Sequence, residues 1–129
     1  MMSEPKVARE VAEAEVQRWA EALDVTVDLD MRERIVVAVM DGRAIFDADT
    51  ERFTLRLRKP LRLENGTVIE SLAISEPNGA QLLAAGKARD VMGQALGLLA
   101  AVTEQPIGMI ERLGQKDITV ASGLLGFFG

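Results

Sequence analysis

The side chains best suited to chemistry in this sequence are carboxylates, which recur in two short acidic stretches. The first stretch holds Asp24, Asp28 and Asp30, and the second holds Asp47, Asp49 and Glu51. Carboxylate oxygens are the ligands that calcium and magnesium ions prefer, but neither stretch has the spacing or the sharp-turn glycine of a calcium-binding loop. Both stretches are therefore interpreted as solvated loop acids, and no metal site is predicted.

Catalysis would have to proceed without the side chains that most often carry it, because the chain contains no histidine and no cysteine. Histidine is the commonest general base near neutral pH and the commonest metal ligand. The sequence also lacks a phosphate-binding glycine loop, a dinucleotide fingerprint, a zinc-protease motif and a nucleophile elbow. No grouping of serine, lysine and carboxylate residues stands out in their place. We therefore predict a protein without enzymatic activity, catalytic residues or a cofactor.

A basic strip runs along one predicted strand. Its members are Arg52, Arg56, Arg58, Lys59 and Arg62. One interpretation is a surface for RNA or an acidic partner, and the other is a solvated sheet face whose cross-strand partners include Asp47, Glu64 or Glu70. No aromatic side chain for base stacking interrupts the strip, and the net charge is −5. The second interpretation is favoured, and no nucleic acid partner is predicted.

The composition indicates a small protein whose core is aliphatic. The chain has 129 residues, of which 48% are hydrophobic and only 4% aromatic. This length fits a single domain, residues 1–129, and the composition favours helix packing over a β-sandwich. The first residues lack the apolar stretch of a secretory signal, and no run approaches the length of a membrane span. The expected location is the cytoplasm.

The amino-terminal half is predicted to begin with a helix over residues 3–23, with Ser3 as its N-cap and Pro5 in its first turn. Trp19 is expected to anchor this helix to the body of the protein. A second helix over residues 31–40, capped by Asp30 and Glu33, is preferred narrowly. The competing prediction is a strand, because the segment is rich in β-branched residues.

The middle of the chain is predicted to form strands. Apolar and polar residues alternate from Ala44 to Lys59, with a turn over residues 47–50. Asn65-Gly66 then separates two strand-like runs, which predicts a hairpin with a type I′ turn. The chain should pass from strand to helix at Pro77.

The carboxy-terminal half is predicted to be helical. Residues 78–103 should be helical, in two pieces broken or bent near Gly86 to Asp90, and a shorter helix should begin at Gln105-Pro106 and stop at Gly114. The last segment is apolar on nearly all sides, so it is either folded into the core or used as a binding surface. The predicted fold class is α+β, with an amino-terminal helix, a small antiparallel β-hairpin sheet in the middle and a helical carboxy-terminal half.

Three stretches in this second half occur in a recognisable order. They are PLRLENGTVIESLAISEP, the helix start Asn78-Gly79-Ala80-Gln81-Leu82, and LGLLAAVTEQPIGMIERLGQKDI, in which Asp117 opens the terminal helix. Together they resemble phage tail assembly chaperones, the small proteins that precede the tape measure protein in contractile-tailed phages and prophages. The resemblance covers residues 60–129, and residues 1–59 form an extended amino end before it.

The resemblance implies a non-enzymatic protein that keeps the long helical tape measure protein soluble while tail tube subunits assemble around it. It also implies a protein of the host cytoplasm that is absent from the mature virion. A Met- and Leu-rich helical half suits recognition of a helix in a groove. The candidate protein-binding residues are Met92, Leu96, Leu99, Met109, Leu124, Leu125, Phe127 and Phe128.

Two other functions remain open from the sequence. One is a structural tail component or adaptor that stays in the virion and docks its apolar end on a neighbouring subunit. The other is a small RNA-binding regulator that uses the basic strip. The sequence also leaves open whether the chain forms a homo-oligomer through its apolar end.

Overall fold

The architecture is α+β. Along the chain, helices precede and follow the strands of one antiparallel sheet. The structure is a computed structural model that describes residues 7–128. In those residues the elements are α1 (Arg9–Ala22), α2 (Leu29–Met40), β1 (Ala44–Asp47), β2 (Arg52–Arg62), β3 (Val68–Ile74), α3 (Gly79–Ala85), α4 (Val91–Thr103), α5 (Ile107–Ile110), α6 (Gln115–Leu125) and a 3-10 turn (Gly126–Phe128). The predicted fold class is confirmed.

The first helix begins later than the sequence suggests. Ser3 and Pro5 lie outside the described residues, but α1 starts at Arg9 and its N-cap is Ala8, which provides no side-chain cap. The prediction of helix is therefore wrong for residues 7–8. The backbone N–H of Val7 donates to the carbonyl of Met40 at 3.2 Å, which ties this segment to the end of α2 instead.

Residues 31–40 lie in a helix, so the helical alternative is confirmed over the strand. The cap differs from the prediction, because the carboxylate of Asp28 accepts the Met31 N–H at 3.3 Å while Asp30 lies in the first turn. The buried residues of this helix are Ile35, Val36, Ala38 and Val39. Because α2 contacts α1, α6 and β1, tertiary packing outweighs the low helix propensity of its β-branched residues.

The three strands form one antiparallel sheet in the order β1-β2-β3. In the middle strand Phe53, Leu55 and Leu57 are buried and the residues between them are exposed, as their alternation predicts. Leu55 pairs with Ala44 on one side and with Leu72 on the other. The central strand therefore contributes to the core along one face and presents arginines on the other.

The hairpin between β2 and β3 is confirmed, but its turn is not type I′. Gly66 has a φ of +87°, whereas Asn65 is not among the residues with positive φ. The Gly66 N–H donates to the Leu63 carbonyl at 3.0 Å, and the Asn65 side chain accepts the Thr67 N–H at 2.9 Å. Asn65 forms a local Asx turn, and Gly66 alone adopts the left-handed conformation. The connection is therefore longer than a two-residue type I′ turn and contains a bulge.

The helical second half is interrupted where the sequence predicts. Helix α3 ends at Ala85 and α4 begins at Val91, with the Asp90 carboxylate capping the latter. At the start of α3, Asn78 and Gln81 form a reciprocal capping box. Pro77 directly precedes this N-cap, so the chain passes from strand to helix where the sequence predicts.

One hydrophobic core draws residues from both halves of the chain. Trp19 lies in it, 5.3 Å from Phe53 and 6.2 Å from Phe127 between ring centroids. The predicted anchoring role of Trp19 is confirmed. Phe127 is fully buried and Phe128 is half-buried, so the apolar end is folded onto the core.

Candidate protein-binding site

The eight candidate binding residues separate into buried and accessible ones. Leu99, Leu124 and Phe127 each have 0% exposure, so they cannot contact a partner in this conformation and the prediction is corrected for them. Leu99 and Leu124 are buried because α4 and α6 contact each other and the sheet, and Phe127 packs against Trp19 and Phe53. Met92 is 62% exposed. The half-buried residues are Leu96, Met109, Leu125 and Phe128.

Two of the accessible candidates lie in an open groove between α3, α4 and the end of α6. The groove has a volume of about 390 Å³. Its apolar lining consists of Pro77, Leu82, Ala95, Leu98, Leu125 and Phe128. We call these residues the apolar groove. The structure thus brings Leu125 and Phe128 together with side chains of α3 and α4 that the sequence did not single out as contacts.

An exposed apolar shelf adjoins this groove. It comprises Leu82, Leu83, Val91 and Met92, which are 52%, 74%, 82% and 62% exposed. Leu82 belongs to both the shelf and the groove, and Val91 lies one helical turn before Ala95. Of these four residues, only Met92 is among the candidate protein-binding residues predicted from the sequence. Helix α3 is short and only its Ala85 is buried, so Leu82 and Leu83 remain exposed.

Charged residues lie near this apolar surface. Glu76 lines the groove, and it also lines a neighbouring polar hollow together with Glu51 and Phe128. Lys87 and Arg89 are exposed in the connection between α3 and α4, directly before the shelf. A partner bound in the groove would therefore lie next to the Glu76 carboxylate.

The basic strip is exposed to solvent along its whole length. Asp47 pairs with Arg52 in the strand register, but its carboxylate accepts the N–H groups of Asp49 and Thr50. Among residues 7–128, no ion pair within 4.0 Å includes a strip residue. The expected cross-strand ion pairs are therefore not formed, while the prediction of a solvated face is retained.

The acidic stretches have local structural roles. Asp28 caps α2 and Asp47 closes the turn before β2. Within the described part of the chain, no three carboxylates lie close enough together to hold a metal ion.

Comparison of the chain with protein-family models, with curated proteins and with solved structures gave no match. None of the helices described in residues 7–128 has both the length and the apolar character needed to cross a membrane.

Proposed function

We propose that this protein is a phage or prophage tail assembly chaperone that binds the tape measure protein and keeps it soluble during tail assembly. The proposal rests on the resemblance of residues 60–129 to that family. The observation that supports it is the exposed apolar shelf beside the apolar groove. Exposed patches of this kind on small proteins are typical of surfaces that bind another chain.

The apolar surface has dimensions that suit a helix. Val91, Ala95 and Leu98 follow one another at helical spacing along α4 and span roughly 10 Å of its axis. Leu125 and Phe128 form the opposite wall of the groove. An amphipathic helix that places apolar side chains at positions i, i+4 and i+7 would match this wall. Met92 adds a side chain that adapts to different contact shapes.

Co-purification with the tape measure protein tests this function. The double variant Val91→Glu/Met92→Glu places two charges on exposed shelf residues, so it should keep its fold and lose co-purification with co-expressed tape measure protein. Val11→Glu is the matched control, because Val11 is 53% exposed on α1 and lies outside the groove lining. Equal recovery of the tape measure protein with the double variant would contradict the proposal.

Mass spectrometry of purified particles distinguishes the chaperone from a structural tail component or adaptor. We expect the chain in the host cytoplasm and not in the mature virion. Recovery of stoichiometric amounts from virions would instead identify a retained component. Sedimentation of the purified chain will report any homo-oligomer.

A further inference from the structure

A second surface lies away from the apolar groove, where α2, β2 and α6 meet. It is a hollow of about 400 Å³ that shares no lining residue with the groove. Four of its side chains are basic: Arg34, Arg43, Arg58 and Lys116. We call it the basic hollow. Its position brings together cations from three separate elements of a protein whose net charge is −5.

The carboxylates near the hollow already have partners. Glu33 binds Arg9 at 2.9 Å, and Asp41 lies 3.8 Å from Arg43. Among the described residues, Arg34, Arg58 and Lys116 form no ion pair within 4.0 Å. Three cations therefore line the hollow without a neutralising carboxylate.

Burial and the neighbouring charges both affect the pKa of the Arg43 guanidinium. Burial and the neighbouring Arg58 cation lower the pKa of the Arg43 guanidinium, while Asp117 and Asp41 act in the opposite direction. A bound anion would relieve the repulsion between Arg43 and Arg58.

The remaining lining of the hollow is aliphatic. Val37, Ala38 and Val120 contribute to it, and Val37 is 42% exposed. The hollow thus combines cations with an apolar surface. A ligand that fits it carries a carboxylate next to an aliphatic group.

The positive surface continues beyond the hollow along β2. Arg58 belongs to the hollow, and Lys59 and Arg62 follow it on the same strand. Arg112 adds a cation at the far end, where its guanidinium donates to the Arg62 carbonyl at 3.0 Å. From Arg52 to Arg62 an extended strand spans roughly 33 Å, which exceeds the length of a small metabolite.

The chemistry of this surface favours a polypeptide over a nucleic acid. Neither the hollow nor the basic strip includes an aromatic side chain on which a base could stack. A peptide whose carboxylate side chains are separated by aliphatic ones would match the cations and valines that line the hollow.

We propose that the basic hollow and the basic strip bind an extended acidic segment of a partner polypeptide. Carboxylates of the segment contact Arg34, Arg58 and Lys116, and an aliphatic side chain packs on the exposed Val37. The proposal is independent of the chaperone function, since the two surfaces share no residue.

A peptide array tests the proposal directly. The probes are peptides of 11 residues, the length of β2, in which glutamate alternates with leucine or serine, and matched peptides with glutamine in place of glutamate. We expect wild-type protein to bind the glutamate–leucine peptides, to bind the glutamine series much more weakly, and to lose affinity as salt is raised. Absence of binding to every glutamate peptide would overturn the proposal.

Substitutions locate the binding surface. Arg58→Glu/Lys116→Glu should lower affinity by roughly tenfold or more, with an unchanged melting temperature. Lys87→Glu/Arg89→Glu is the matched control, since it makes the same change in net charge and both residues are exposed in the connection between α3 and α4. Equal losses in both variants would show a non-specific charge effect and contradict the assigned site. Tighter binding of an oligouridylate of equal charge would overturn the assignment to a polypeptide.

Discussion

The buried carboxylate of Asp117 in α6 accepts the backbone N–H of Arg58 in β2 at 3.0 Å. The Lys59 N–H donates to the same carboxylate at 3.2 Å, and the Arg43 guanidinium lies 3.4 Å from it. The β2–β3 register shifts between Arg56 and Leu61, where β2 has no regular partner on β3. Asp117 therefore supplies the acceptors that the neighbouring strand does not, and it fixes α6 to the irregular part of the sheet.

Replacement of Asp117 should destabilise the fold. Asp117→Ala leaves the Arg58 and Lys59 N–H groups without this acceptor and removes one of the two carboxylates near the largely buried Arg43 guanidinium, so we expect a loss of about 3 kcal/mol in the free energy of unfolding. Asp117→Asn retains one acceptor oxygen and should lose only about 1 to 2 kcal/mol. Urea denaturation measures both changes. Lys116→Ala is the control, because Lys116 is exposed in the same helical turn. A loss for Asp117→Ala no larger than that of the control would contradict the role of Asp117 in fixing α6 to β2.

A second prediction concerns the contact between α6 and α2 at Gly123. A β-carbon at this position would overlap the Met31 side chain and lie 3.2 Å from Ile35 Cδ1. We expect Gly123→Ala to cost about 1 to 3 kcal/mol, because overpacking forces the helices apart. Thermal unfolding measures the loss.

Two variants test this interpretation. Met31→Ala in the Gly123→Ala background should recover part of the loss, since it removes the side chain that the new methyl group meets. Gly108→Ala is the control, because nothing lies within 4 Å of its β-carbon position. Its stability should be unchanged or slightly raised. Strictly additive losses for Met31→Ala and Gly123→Ala would show that this contact is not the cause.

Local signals were sufficient to predict most of the fold. The alternation of Phe53, Leu55 and Leu57 marked β2, and Asn65-Gly66 marked the hairpin, because both patterns depend on residues close in sequence. The choice between helix and strand for residues 31–40 was narrow for the opposite reason. It depends on contacts of α2 with α1 and α6, which no local pattern contains.

The candidate site was predicted less well than the fold. The sequence marked the helical second half as rich in apolar residues but could not distinguish the buried Leu99 and Leu124 from the exposed Val91. That distinction depends on which face of each helix packs against the sheet. The sequence also did not reveal that Asp117 accepts N–H groups of β2. Those partners are distant along the chain, and they are backbone groups, which every residue type carries.

A third prediction uses the only tryptophan as a reporter of the carboxy-terminal end. The Phe127 ring is fully buried, 6.2 Å from Trp19 and 5.4 Å from Phe53. Phe127→Ala should cost about 3 to 5 kcal/mol and shift Trp19 emission to longer wavelength as water enters the cavity. Phe128→Ala is the control, because its ring is half-buried and should be removed at lower cost. Unchanged emission in Phe127→Ala would contradict the docking of this end onto Trp19.

The last prediction is a pH dependence at the junction of α1 and α2. The Arg9 guanidinium binds the Glu33 carboxylate at 2.9 Å, and this hydrogen bond lowers the pKa of Glu33 below its ordinary value of 4.5. A carboxylate with a lowered pKa stabilises the folded state above the ordinary value, and the stabilisation disappears as the pH falls through the lowered pKa. Glu33→Gln should therefore be slightly less stable than wild type at neutral pH and equal to it in strong acid. Because both side chains are exposed, the difference should also shrink in high salt.

Melting curves from neutral pH to strong acid measure the difference in stability between Glu33→Gln and wild type. Glu10→Gln is the control, because it removes an exposed carboxylate from α1 outside this pair. A constant difference between Glu33→Gln and wild type down to strong acid would show that the ion pair is not its source.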